Sequence, residues 1–333
     1  MMRRMKAVSL FVARRRALLL ATAAVLALST AAALAAPTKT TVIRTPGYPI
    51  FAVSGYGSIW VGAHQGHLVY RISPKTNRIV KQIDIGHTPC GQAAVGFGAV
   101  FVPDCIDEGG DTLEISATTN KVIRKFPGGG MLGYGSVWTI SGDGKLLRRL
   151  DPQSGVAIAT LQTGFLDSGA GNGCIGVAGA GAVWLGSDVS RTVTRVDAAT
   201  NKTVAVIPLP GAATQPSPAQ GYASGCEMAF AGGKVWYGNP AGIYEIDPAT
   251  NTATLLRITI GSLAAWGDIV FATGLGSVWV RTSSTSITRI DPATGNVIGS
   301  YPATGEGGGL TVSYGSLWVA NAGADSTWRE PVH

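Results

Sequence analysis

The chain has 333 residues, a formal net charge of +7, 46 glycines and only 14% charged residues. Its hydrophobic share of 46% excludes intrinsic disorder, and its glycines lack the three-residue period of collagen. A chain poor in Lys and Glu but rich in Gly, Thr and Val favours turns and strands over helices. Composition therefore predicts an all-β fold with many tight turns.

The N-terminal segment predicts export. Residues 1–16 carry six basic side chains and no acidic one, and the apolar run 17–36 follows, with Ala33-Leu34-Ala35 near its end. This order is typical of a secretory signal peptide over residues 1–35, with an uncleaved membrane anchor as the alternative. Removing six cations leaves a net charge of +1, which argues against a nucleic-acid partner. We expect an exported protein, periplasmic or extracellular, with no membrane contact beyond this segment.

From residue 36 onward the chain is a repeat. A glycine-rich turn followed by a strand with a central aromatic residue recurs seven times, at Trp60, Phe101, Trp138, Trp184, Trp236, Trp279 and Trp318. Each unit continues with an alternating strand, a turn of the Asp-Pro-Ala-Thr-Gly type and a further strand. Four strands per unit, repeated about every 40–45 residues, are the pattern of a β-propeller. The sequence therefore predicts one seven-bladed propeller domain over residues 36–333, which we expect to be monomeric.

The seventh unit lacks a fourth strand, and this predicts how the ring closes. The unit ends after residues 326–330, where a third strand would end, whereas residues 40–44 precede the first complete unit. Pairing these two segments would complete the last blade and remove exposed sheet edges. We therefore predict that the N- and C-terminal strands share one four-stranded blade.

The loops that vary between units are predicted to lie on one face of the propeller, opposite the uniform turns. Binding residues usually lie on variable loops of a rigid scaffold. We expect this face, or the central channel, to hold a ligand through His67, Gln92, Asn172, Glu227, Asn239, Trp266, Asp268, Glu306 and Asn321. The repeated aromatic residues are instead expected to pack between blades. The repeated arginines are expected to be solvated or locally paired; they are Arg71, Arg149, Arg195 and Arg289.

Three residues of the same face are catalytic candidates. His64, His87 and Asp104 lie in the first two units. Imidazole and carboxylate groups can bind a divalent cation or act as general bases, although acidic glycine-rich loops are more often solvated turns. No Gly-x-Ser-x-Gly element, phosphate-binding loop or His-Glu-x-x-His motif accompanies them. No cofactor is assigned, and Ca²⁺ or Mg²⁺ is a candidate metal on the propeller axis.

All four cysteines fall on the variable face. Cys90 precedes the first strand of the second unit and Cys105 follows the next strand, whereas Cys174 and Cys226 occupy matching places in adjacent units. An even count in an exported protein is typical of disulfides. The simplest pairing is Cys90–Cys105 with Cys174–Cys226. A zinc site is the alternative, although no Cys-x-x-Cys occurs.

The segments 133–138 and 289–295 resemble the repeats of bacterial seven-bladed propellers of the YVTN type and of the streptogramin B lyase (virginiamycin B lyase) group. The resemblance spans residues 36–333 and implies the propeller fold. The lyases use a histidine base and a glutamate of the last repeat in a metal-assisted elimination. The aligned positions hold Gly308 and Ala322 here, so this cleavage is not expected.

The function expected from these observations is therefore non-catalytic binding of a small molecule or of an envelope or extracellular partner. A metal-dependent lyase or a gluconolactonase-like lactonase is the alternative.

Peptide mapping of the purified protein under non-reducing conditions tests the cysteine pairing. We expect one linked peptide pair that joins Cys90 to Cys105 and a second that joins Cys174 to Cys226, because each pair lies in one unit or at matching places of adjacent units. Both pairs should separate in the reduced control digest. Four free thiols in the exported protein would contradict the disulfide interpretation.

Overall fold

A computed structural model describes residues 39–105, 110–163, 176–187, 190–211, 228–239, 241–262, 269–303 and 306–332. The predicted signal peptide, residues 1–35, lies outside these ranges. None of the described helices is long and apolar enough to cross a membrane.

The described residues form strands and one short 3₁₀ helix, at Ala322–Ala324. In chain order the strands are β1 (Thr41–Arg44), β2 (Pro49–Gly55), β3 (Ser58–Ala63), β4 (Leu68–Ser73), β5 (Arg78–Asp84), β6 (Ala94–Gly96), β7 (Ala99–Pro103), β8 (Thr112–Ser116), β9 (Val122–Phe126), β10 (Gly129–Gly133), β11 (Ser136–Ile140), β12 (Leu146–Leu150), β13 (Ala157–Gln162), β14 (Val177–Gly179), β15 (Ala182–Ser187), β16 (Thr192–Asp197), β17 (Lys202–Pro208), β18 (Met228–Ala231), β19 (Lys234–Asn239), β20 (Gly242–Asp247), β21 (Thr252–Leu255), β22 (Phe271–Gly274), β23 (Ser277–Ser283), β24 (Ser286–Ile290), β25 (Val297–Pro302), β26 (Leu310–Ser313), β27 (Ser316–Asn321) and β28 (Ser326–Pro331).

These strands form seven antiparallel sheets of four strands, the blades of a β-propeller, as predicted. Blades 1 to 6 take consecutive sets of four strands, from β2–β5 to β22–β25, and blade 7 consists of β26, β27, β28 and β1. The first strands of neighbouring blades contact one another around the whole ring, and β26 contacts β2. The ring is therefore closed, with the first strand of each blade nearest the axis.

The predicted closure by the chain ends is confirmed. Strand β1 pairs antiparallel with β28, with Val42 opposite Trp328. Beyond β1, the hydroxyls of Thr45 and Thr327 lie 3.0 Å apart. The carboxylate of Asp325 accepts hydrogen bonds from the backbone N–H of Gly47 (3.1 Å) and Tyr48 (2.9 Å). The first residues of the domain are therefore held by the last ones.

The repeated aromatic residue packs between blades, as predicted. All six tryptophans of the repeat are 0% exposed, and Phe101 is 1% exposed. Trp60 shares a buried cluster with Val100 and Val102 of blade 2, and Trp318 shares one with Ile59 of blade 1. Each indole N–H donates to a backbone carbonyl at the end of the first strand of its own blade, at 2.9–3.2 Å. Each aromatic side chain therefore closes one interface between blades.

The repeated arginines pair locally, as expected, for example Arg71 Nε with Ser58 Oγ of the same blade at 2.8 Å, but Arg71, Arg149 and Arg195 also reach the next blade. The Arg71 guanidinium lies 4.7 Å from the Trp60 ring centroid and donates to Ala117 O (2.8 Å) and to Asn120 Oδ1 (2.9 Å) of blade 2. A planar guanidinium can stack on an aromatic face and donate from its edge at the same time. The same link joins Arg149 to Asn201, Arg195 to Asn251 and Arg329 to Asn77.

The glycine-rich turn serves two different purposes. The first glycine leaves room for the next blade, since a Cβ on Gly55 would lie 2.3 Å from Val95 Cγ1. The positive backbone angles belong to the next two residues, with φ of 51° at Tyr56 and 70° at Gly57. These are the angles of the two-residue turn that suits the twist of antiparallel strands. The first glycine is therefore a packing residue and the second a turn residue.

A matched pair of substitutions in β1 tests whether ring closure stabilises the domain. Ile43 is 6% exposed and belongs to the core between blades 7 and 1, whereas Val42 is 62% exposed on the same strand. We expect Ile43→Ala to lower the free energy of unfolding by about 2–5 kcal/mol. Val42→Ala should change it by no more than about 0.5 kcal/mol. Equal effects in urea denaturation would contradict the closure described above.

Candidate functional site

The connections between strands define two faces of the propeller. The turns between first and second strands, and between third and fourth strands, form the turn face. The connections from second to third strands, and from each fourth strand to the next blade, form the variable face. Residues 127–128 join β9 to β10, whereas residues 209–227 join β17 to β18. The connections of the variable face therefore differ in length from blade to blade, as predicted.

Several predicted site residues lie outside the described part of the chain. They are Asn172, Cys174, Cys226, Glu227, Trp266 and Asp268. The pairing of Cys174 with Cys226 stays a prediction.

The disulfide Cys90–Cys105 is present, as predicted. A short antiparallel ladder holds the two cysteines, with Cys90 N–H donating to Pro103 O (2.8 Å) and Cys105 N–H donating to Thr88 O (3.1 Å). The Cα atoms are 5.0 Å apart, within the range that a disulfide spans. The bond fixes the connection between blades 1 and 2 to the end of the second strand of blade 2.

His64 lies against this disulfide. Its Nδ1 lies 3.1 Å from Pro89 O, 3.8 Å from Cys90 Sγ and 3.9 Å from Cys105 Sγ. The imidazole also makes an edge contact with Tyr48, with ring centroids 6.4 Å apart. His64 N–H donates to Tyr48 O at 3.0 Å. The structure therefore places this catalytic candidate in a contact between blades 1 and 2, beside the sulfur atoms.

His87 and Asp104 are brought together, as the sequence suggested. His87 Nδ1 lies 3.1 Å from Asp104 Oδ2, and the Asp104 side chain is fully buried while that of His87 is 30% exposed. Lys125, which sequence reasoning missed, approaches the same oxygen to 3.6 Å and Asp111 Oδ2 to 3.1 Å. Asp111 N–H donates to Asp104 Oδ1. Three charged or titratable residues, His87, Lys125 and Asp111, thus lie around the buried carboxylate of Asp104.

Burial has the largest influence on Asp104 and raises the pKa of its carboxyl group above 3.8. The Asp111 N–H, Lys125 and His87 act in the opposite direction. On Lys125, the hydrogen bond to Asp111 has the largest effect and raises the pKa of the ammonium group. The arrangement therefore keeps Lys125 charged and makes ionisation of Asp104 costly.

The central channel contains a cavity of about 270 Å³. Its wall is built from the first strands of blades 2 to 6 and the residues beside them, and it includes Val95, Met131, Leu132, Met228 and Phe271. Gln92 lies in the same wall, with Nε2 donating to Ala52 O at 3.4 Å. The lining side chains other than Gln92 are apolar, but backbone polar groups and Gln92 make the exposed wall about as polar as it is apolar.

The position aligned with the lyase histidine has no room for a side chain. Gly308 has a φ of 109°, and a Cβ there would lie 2.2 Å from Ala320 O. Arg281 lies beneath this segment, 1% exposed, and donates from Nε to Gly308 O at 3.1 Å and from Nη2 to Ala320 O at 3.4 Å. This part of blade 7 is therefore a backbone packing site. Sequence reasoning missed Arg281 because it does not recur between units.

The remaining predicted ligand-binding residues differ in exposure. Asn239 is 5% exposed and accepts hydrogen bonds from the backbone N–H groups of residues 241 and 242. Asn321 is fully buried and donates to Val319 O at 3.4 Å. His67 and Glu306 are exposed on the variable face. The two asparagines thus stabilise their own loops. A role in ligand binding stays a prediction for these two asparagines and for His67 and Glu306.

Solved structures similar to this chain are propellers. The WD40 repeats of RRP9 share 12% identity, with a TM-score of 0.67 over 90% of this chain and 98% of that one. U3-55K shares 13%, with a TM-score of 0.67 over 89% and 99%. BamB from Moraxella catarrhalis shares 12%, with a TM-score of 0.56 over 84% of each. At these identities the likeness shows the fold alone.

No family model matches the chain, and no curated protein does. The resemblance to YVTN-type propellers and to the streptogramin B lyases therefore stays a prediction.

The pH dependence of stability tests the burial of Asp104. A carboxyl group whose pKa is higher in the folded state binds its proton more tightly there, so its ionisation destabilises the fold. We therefore expect the free energy of unfolding of the wild type, relative to Asp104→Asn, to fall as the pH rises from below 3.8 through the raised pKa. Above that range the difference should level off. Urea denaturation of both proteins at a series of pH values measures it.

If this difference in unfolding free energy rises with pH instead, the attraction of Lys125 and His87 for the Asp104 carboxylate outweighs the effect of burial. Asp143→Asn is the matched control, because the pKa of this exposed carboxyl group is lowered, chiefly by the hydroxyl of Ser141. The wild type should gain stability relative to this control variant as the pH rises.

Proposed function

We propose that this chain is an exported, non-catalytic β-propeller that binds a partner of the cell envelope or extracellular space through its variable face. The observation that carries the proposal is the difference between the two faces. On the turn face, the same arginine and asparagine contacts recur and join one blade to the next. On the variable face, the connections differ in length from blade to blade. Such variation on a rigid scaffold is typical of a binding surface.

The disulfide supports export. Disulfides persist in oxidising compartments and are rare in the cytosol. The Cys90–Cys105 bond therefore agrees with the signal peptide expected over residues 1–35.

The central cavity is at the lower limit of size for a drug-sized ligand. Pockets for such ligands usually have volumes of about 300–1,000 Å³. The cavity in the channel has about 270 Å³, just below this range, and a wall of mixed polarity. A partner that rests on the loops around the channel does not need to enter it. We therefore place the binding surface on the exposed loops of the variable face.

A metal-dependent lyase or lactonase, the alternative, finds no support at the last repeat. The backbone around Gly308 leaves no room for the histidine that the lyases carry at the aligned position. The buried Ala322 stands where their glutamate aligns.

Site-specific photocrosslinking in the native host tests the proposal. A benzophenone amino acid is placed at Gln65 or Glu306, which are exposed on the variable face, and at Lys75 or Thr118, which are exposed on the turn face. We expect crosslinked species of defined mass from the variable-face positions only. The same species from both faces, or none from Gln65 and Glu306, would contradict a binding surface on the variable face. A rise in Tm on adding Ca²⁺ or Mg²⁺ would instead favour the metal-dependent alternative.

A further inference from the structure

Three potential metal ligands from separate segments meet on the variable face. The Nδ1 of His64 and the two sulfur atoms of Cys90 and Cys105 all lie within 4.8 Å of one another. His64 follows β3 of blade 1, Cys90 precedes β6, and Cys105 follows β7. All three side chains are partly buried. The propeller therefore holds one imidazole beside two sulfur atoms before any ion binds.

The distances from the imidazole suit a zinc ion. Zinc bound at about 2.3 Å to sulfur and about 2.0–2.1 Å to nitrogen in a tetrahedral site places the two atoms roughly 3.5–3.6 Å apart. His64 Nδ1 already lies 3.8 Å from Cys90 Sγ and 3.9 Å from Cys105 Sγ. The two sulfur atoms, bonded in the disulfide, would have to move to about 3.8 Å from each other. Opening of the disulfide would let the cysteine side chains rotate about their Cα–Cβ bonds towards this separation while the Cα atoms stay 5.0 Å apart.

The backbone around the three residues is fixed independently of the disulfide. Cys90 N–H and Cys105 N–H donate to Pro103 O and Thr88 O, and His64 N–H donates to Tyr48 O. These hydrogen bonds do not involve the sulfur atoms. The three ligands therefore stay close together when the disulfide opens, and little ordering is needed on metal binding.

We propose that the Cys90–Cys105 disulfide and a zinc site are alternative states of the same residues. A dithiol or phosphine reductant supplies two electrons, which together with two protons convert the S–S bond into two thiols. One Zn²⁺ then binds both thiolates and His64 Nδ1 and releases the two thiol protons. The Nδ1 proton, which the contact with Pro89 O requires, moves to Nε2 in this state. Water takes the fourth position, and two thiolates neutralise the charge of the ion.

Cobalt titration of the full chain tests the proposal. A Cys174→Ser/Cys226→Ser background removes the other two thiols, and Co²⁺ replaces Zn²⁺ as a coloured probe. After reduction with a phosphine under anaerobic conditions, we expect one Co²⁺ per chain, with thiolate-to-cobalt charge transfer and the visible bands of tetrahedral cobalt. Added Zn²⁺ should remove both signals. The oxidised protein should bind no Co²⁺ at this site.

Variants separate this site from adventitious binding. His64→Ala should weaken Co²⁺ binding by at least about tenfold, since even partners of metal ligands contribute about 10–100-fold to affinity. His67→Asn is the control and should bind like its parent, because the exposed His67 has a φ of 56° that Asn tolerates. Unchanged binding by His64→Ala, or cobalt spectra without charge transfer, would overturn the proposal.

Two further measurements test the proposal if the background variant or the reduced protein does not fold. If the background variant does not fold, the same titration compares the reduced wild type with Cys90→Ser/Cys105→Ser, and equal binding would overturn the proposal. If reduction itself unfolds the chain, Zn²⁺ should restore the β-sheet circular dichroism of the parent but not of His64→Ala. Failure to restore it would likewise overturn the proposal.

Discussion

The aromatic side chain in the second strand of each blade can be buried only by the next blade. Trp60, Trp184 and Trp318 each belong to a cluster that joins their own blade to the following one. A row of such blades leaves one apolar face uncovered at its end, and only a closed ring covers all of them. Pairing of β1 with β28 completes the ring and joins the first residues of the domain to the last.

Closure also determines where polar groups can vary. On the turn face, the guanidinium groups stack on the tryptophans and donate to asparagines of the neighbouring blade, so these residues belong to the scaffold. Among the described residues of the variable face this repeated contact does not occur, and the polar groups differ from blade to blade. Asp104 illustrates the consequence, because burial raises the pKa of its carboxyl group even beside Lys125. A rigid ring can hold such an unfavourable charge in place.

The sequence predicted the blades, their closure and the Cys90–Cys105 bond because each follows from periodicity along the chain. Contacts between units are harder to predict from the sequence. The links from Arg71 and Arg149 require knowing which blade lies alongside, and the asparagines that end the neighbouring turns were the available clue. Lys125 lies in the outer strand β9. The alternation of side chains along that strand does not indicate which loop the Lys125 side chain contacts. His64 and His87 looked like one cluster, but their side chains contact different partners, the disulfide and Asp104.

Blade 2 departs most from the repeat, and the polar cluster lies there. Its second strand carries Phe101 in place of tryptophan, opposite Glu114, where five of the other six blades have arginine and blade 5 has Glu245. Glu114 is 5% exposed, and burial raises the pKa of its carboxyl group, although Arg124 lies 3.5 Å away. Arg124, from the fourth strand, donates to Pro152 O of blade 3 and preserves the link between blades. The scaffold contact is thus rebuilt from another strand in the blade that carries Asp104, Lys125 and the disulfide. Blade 2 therefore keeps its place in the ring by a substitute contact, while its loops hold the buried charges.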